Sequence, residues 1–177
     1  MTVRLDLDRL AAGYPGLSAK YGAALGEAAA VCLVSQQHSP STAMATRTGA
    51  RSLTVTLDWA PLVPGAEAAW ADETFATEQG AYGIAILLLE ETQDLLPMER
   101  ARKGTGFDYW LGREGGEGAL FQNRTRLEVS GLRHGSRAQT TQRLNRKLDQ
   151  MQRTHRSLPG YAVVVEFGQP FTAVGRR

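Results

Sequence analysis

The chain has 177 residues, of which 42% are hydrophobic and 21% charged, and its net charge is +2. Those values describe one globular domain with a core of its own and exclude a disordered chain. The longest apolar run, AYGIAILLL, is too short to span a bilayer. A single cysteine, Cys32, excludes an internal disulfide and any zinc site built on a cysteine cluster.

In chain order, MTVRLDLDRL interleaves Asp with Arg, unlike a secretory signal, so a cytoplasmic protein is expected. Residues 17 to 37 are Ala-rich with apolar positions at helical spacing, and Ser18 is placed to cap that helix. HSPSTAMATRTGAR reads as a loop. SLTVTLDWA alternates Leu53, Val55, Leu57 and Trp59 with polar residues, the pattern of a half-buried strand. PLVPG then breaks the chain.

From Ala66 to Glu91 the pattern predicts one long helix, apolar nearly all round from Gly80 to Leu89 and therefore central. Three strands follow in the reading: Leu95 to Lys103, GFDYWLG closed by the turn REGGEG, and TRLEVSGL. SRAQTTQRLNRKLDQMQRTH is an Arg-studded helix with Leu144, Leu148 and Met151 on one face, and YAVVVEF is a last strand. The order predicts an α/β (or α+β) fold, a central mixed sheet flanked by helices. Residues 1–177 read as a single domain, with 1–65 an N-terminal helix-and-strand extension and 66–177 the core.

Charge is distributed unevenly: residues 1–98 carry −6 and residues 99–177 carry +8. The basic half is compatible with an anionic partner such as nucleic acid. Arg126, Arg143, Arg146 and Lys147 are the candidate contacts, three of them on the basic helix. The scarcity of lysine beside abundant Ala and Gly is a composition that GC-rich bacterial genomes produce.

Three carboxylates stand out once placed on these elements. Asp108 falls in the second strand of the group and Glu128 in the third. On that third strand Glu128 and Ser130 share one face while Leu127 and Val129 point the other way. Glu78 shares a helical face with Ala81, Tyr82 and Ala85, which read as buried. Two carboxylates brought within a few ångströms repel, and a divalent cation commonly holds such a pair.

A helix with a glutamate, a hairpin with the aspartate of GFDYW, a strand with LEVS, then a helix and a strand: this order resembles the PD-(D/E)XK nuclease superfamily. The resemblance spans about Ala66 to Phe167 and implies a restriction-endonuclease-like fold. It implies Glu78, Asp108 and Glu128 as catalytic ligands of Mg²⁺ or Mn²⁺, and cleavage of phosphodiester bonds in DNA or RNA. The chain departs from the pattern at Ser130, which stands where the superfamily places a lysine. Lys103 in RKGTGF is the candidate substitute cation, and Arg126 a second. The resemblance therefore implies either a nuclease, for instance in phage defence or nucleic-acid processing, or a catalytically inactive interaction subunit of a larger complex. No membrane partner is expected.

Overall fold

A computed structural model describes residues 3–113, 115, 124–154 and 158–177 of the chain. The elements are β1 (Val3–Asp6), a 3₁₀ turn (Leu7–Ala12), α1 (Ala19–Ser35), β2 (Thr42–Thr48), β3 (Arg51–Asp58) and α2 (Ala66–Ala69). They continue with α3 (Glu73–Gln93), β4 (Leu96–Arg100), β5 (Tyr109–Gly112), β6 (Thr125–Leu132), α4 (Arg137–Thr154), β7 (Gly160–Glu166) and β8 (Phe171–Arg176). All eight strands join one mixed sheet in the order β1-β3-β2-β8-β7-β6-β5-β4. The expected α/β architecture, a mixed sheet flanked by helices with a helix near the N-terminus, is what the chain forms.

The C-terminal half of this sheet explains itself from chain order. β4, β5 and β6 form an antiparallel meander, and β7 lies parallel to β6 after a crossover through α4. Parallel neighbours need a long connection, and an 18-residue helix supplies it. The N-terminal strands attach through a parallel pairing of β2 with β8. Residues 1–65 thus extend the same sheet, and Met44, Val55 and Leu57 share one core with Val163 and Val174.

The helices divide between the faces. α1 and α3 cover one face in the main core, where Ile84, Ala85, Leu87 and Leu88 of α3 are buried with Leu127 and Val129 of β6. α4 covers the other, seating Leu144, Leu148 and Met151 against Ala162, Val164, Phe171 and Ala173. Gly131 is a point of close approach. A Cβ built there would stand 2.5 Å from the Thr77 carbonyl oxygen, so the missing side chain lets α3 lie directly on β6.

Several boundaries differ from the sequence expectation, each for a local reason. The segment read as a loop contains β2, whose Thr residues favour a strand but whose two Ala and one Arg give no clear apolar alternation, and which is held between β3 and β8. β1 and β8 were not anticipated. The long helix does not start at Ala66: α2 stops after one turn, and Asp72 begins α3 by accepting the Phe75 N–H at 3.0 Å. Asp108 lies just before β5 rather than within it. Most of the REGGEG turn, and His155, fall outside the described residues.

Candidate active site

β6 is the spine of the site. Its alternation, as expected, turns Leu127 and Val129 into the α3 core and turns Arg126, Glu128 and Ser130 toward α4. The three polar residues make successive contacts along that helix. Arg126 donates to the Met151 carbonyl at 2.9 Å, Glu128 pairs with Lys147 at 2.5 Å, and the Ser130 hydroxyl lies 3.3 Å from Arg143 Nη1. Arg143 and Lys147 stand one turn apart, on the flank of α4 beside its apolar stripe.

Asp108 enters from the neighbouring strand. Its backbone N–H donates to Leu127 O at 2.7 Å, the last link before the two chains diverge. Its side chain then takes over the next ladder position: Oδ2 accepts the Val129 N–H at 2.8 Å. Oδ1 accepts the Tyr82 hydroxyl at 2.8 Å and lies 4.0 Å from Arg100 Nη2. The carboxylate is therefore fixed by one backbone donor and one phenol, on two different elements.

Asp108 and Glu128 come together, as the sequence led one to expect. Glu128 is 5% exposed. Desolvation by burial, and then the charge of Asp108, push its carboxyl up to about 7, against the opposing pull of Lys147. A carboxyl with its titration displaced to neutrality, lining a cleft, is a candidate for chemistry.

Glu78 does not join them in the way expected. It is exposed on α3, although its helical spacing matched buried residues, because it sits on the first turns where α3 emerges from the core. It reaches the pair only through Tyr82, whose hydroxyl lies 3.1 Å from Glu78 Oε1. Among the described residues, no group of three or more His, Cys, Asp and Glu side chains is arranged to hold a metal ion. The candidate ligand set is thus the Asp108–Glu128 pair, with Glu78 one hydroxyl away.

Two adjoining clefts meet at these residues. One, of about 530 Å³, runs from Glu73, Thr77 and Glu78 past Asp108 and Glu128 to Ser130, Arg133, Arg143 and Lys147. The other, of about 450 Å³, is bounded by the β4–β5 connection with Arg100, Arg102 and Lys103, and shares Glu78, Tyr82, Asp108 and Glu128 with the first. Lys103 is exposed on the wall of the second cleft.

The basic residues sort differently from the sequence reading. Lys147 sits in the cleft against Glu128, where its charge offsets a buried carboxylate. Arg126 is 2% exposed and spends its guanidinium on the carbonyls of Met151 and Leu158, so it is closed off from any ligand. Desolvation pulls its pKa below the ordinary arginine value. Its role is to tie the end of α4 to β6, which corrects the expectation of a nucleic-acid contact or substitute cation. Arg146 is exposed on α4, away from the clefts; Arg143 lines the first of them.

Sequence reasoning missed Tyr82 and Arg100. Tyr82 was visible one turn after Glu78, in a stretch that read as core only. Cys32 is buried, as expected, and burial pushes its thiol up to about 11, which leaves it unreactive. No helix among the described residues is long and apolar enough to cross a membrane. Comparison with known proteins finds no matching family model, no matching curated protein and no matching solved structure.

Proposed function

We propose that this chain is a divalent-metal-dependent phosphodiester hydrolase acting on DNA or RNA, of the PD-(D/E)XK kind, working in the cytoplasm of a bacterium in nucleic-acid processing or phage defence. One observation carries the reading. A buried carboxyl, Glu128, lies beside a second, Asp108, with a lysine paired to it on the wall of an open cleft.

The donors suit a hard cation. Mg²⁺ is commonly bound through one or two carboxylates, with water and substrate phosphate completing its shell, so a pair is a sufficient protein contribution. Asp108 and Glu128 would hold the ion; when bound, it supplies Lewis-acid activation of water and neutralises charge on the phosphate. The Val129 N–H and the Tyr82 hydroxyl keep Asp108 aimed at that position. Lys147 takes the place that Ser130 leaves empty. It comes from α4 rather than from β6, and its ammonium favours the charged form of Glu128 against burial and Asp108 and favours negative charge at the cleft surface.

The element order adds support: a helix bearing Glu78, a three-strand meander carrying Asp108 and Glu128, a crossover helix and a parallel strand occur in the sequence the resemblance requires. Purified protein with Mg²⁺ or Mn²⁺ is expected to cleave DNA or RNA. Asp108→Asn should reduce the rate about a thousandfold, equivalent to ~4 kcal/mol of transition-state stabilisation. Cleavage that survives this change would end the assignment.

A second reading rests on the internal pairing of the carboxylates. Both Asp108 oxygens and one Glu128 oxygen already have protein partners, and Ser130 brings no charge. On that reading the chain is a non-catalytic interaction subunit of a larger assembly, and its cleft network serves packing alone. It predicts no metal-dependent cleavage by the intact protein.

A further inference from the structure

Arg100 ends β4 at the mouth of the second cleft, and its surroundings are unlike those of an ordinary surface arginine. Its guanidinium carbon lies 4.6 Å from the ring centre of Tyr82 and 4.8 Å from that of Tyr109. One nitrogen, Nη2, is 3.3 Å from the Tyr82 hydroxyl oxygen. Two aromatic rings, themselves packed edge to face, fix the plane of the cation, each contributing attraction through its π face.

The carboxylate does not fix it. Nη2 and Asp108 Oδ1 are 4.0 Å apart, beyond a hydrogen bond, and that oxygen already accepts from Tyr82. The Arg100 side chain is 44% exposed. The Tyr82 and Tyr109 hydroxyls engage part of the guanidinium, and with five N–H donors and 44% exposure it keeps further donors for a ligand. Arg102 and Lys103 follow in the chain and line the same cleft as Glu78, Asp108 and Glu128.

We propose that Arg100 is a phosphate-binding residue, the pre-positioned member of a cationic wall formed with Arg102 and Lys103. It takes a backbone phosphate of a nucleic acid lying in the second cleft beside the Asp108–Glu128 pair. This rests on the phosphodiesterase reading and adds the substrate contact. The fork of donors suits two phosphate oxygens at once, which an ammonium at the same place does not.

The test is binding of a short single-stranded oligonucleotide, DNA and RNA of one sequence in parallel, followed by fluorescence anisotropy with Ca²⁺ present over a series of KCl concentrations. Arg100→Gln should weaken binding about tenfold and lower the salt slope by about 0.7, the loss of one phosphate contact on a single strand. Arg100→Lys should keep the slope and still bind about threefold more weakly, because charge survives and the fork does not. A merely structural arginine leaves the slope unchanged. Wild-type affinity and slope in both variants would overturn the proposal while leaving the hydrolase reading intact. Failure of the wild-type protein to bind either oligonucleotide would overturn both. Should Arg100→Gln not fold, Arg100→Met takes its place: a slope lowered by about 0.7 upholds the proposal, and a wild-type slope rejects it.

Discussion

Arg126 and Glu128 occupy successive positions on the same face of β6, both nearly inaccessible, yet the chain treats them in opposite ways. Arg126 is enclosed: it is 2% exposed, and two of its nitrogens meet carbonyls of Met151 and Leu158. Glu128 is placed at a boundary, with one oxygen on Lys147, a second carboxylate beside it, and two clefts meeting at its side chain. A buried charge completed by backbone is an architectural device. A buried charge left against another of its own sign, within reach of solvent, is a site prepared for a ligand.

That contrast yields graded tests. Arg126→Ala should have the larger effect on stability. It removes a large buried side chain and strands two carbonyls, and the expected loss is about 3 kcal/mol in denaturant unfolding. Metal binding and cleavage by the folded fraction should be unaffected. Loss of metal affinity in protein shown to be folded would dissolve the distinction between the two residues.

Glu128→Gln should act in the other direction and depend on pH. Burial and Asp108 push the folded carboxyl up to about 7, above the ordinary value of 4.5. Between those values the native state holds more protons than the unfolded one, so wild-type stability falls as pH rises through about 7. A glutamine carries no such penalty. At about pH 8 the variant should be more stable than wild type by ~1–3 kcal/mol, and the difference should vanish as pH falls toward the unfolded carboxyl's value. Thermal unfolding of both proteins across that range measures it. A flat difference would mean that Glu128 is not strained by its surroundings.

The sequence and the structure agree most where periodicity was strong. The apolar centre of α3, the β6 alternation and the α4 stripe were all readable, because burial imposes a period that single residues reveal. The site was legible as far as Asp108 and Glu128, which neighbouring strands were expected to bring together. β2 and β8 were not legible, since their pairing depends on partners far away in the chain. Lys147 and Arg126 exchanged roles for a similar reason. Lys147 read as a nucleic-acid contact on the basic helix and Arg126 as a substitute cation on the Glu128 face of its strand, and only the crossing of α4 over β6 determines which one faces the cleft and which one the closed end. Glu78 shows the limit of the helical-face argument, because residues sharing a face at the end of a helix need not share an environment.

The central claim is that Asp108 and Glu128 form one divalent-cation site. Calorimetric titration of Mn²⁺ into the wild-type protein, Asp108→Asn and Glu128→Gln tests it directly, without requiring turnover. The account predicts binding to the wild type that both substitutions abolish, with each variant folded by thermal unfolding. Binding that persists in both variants, or no binding to the wild type, would contradict it.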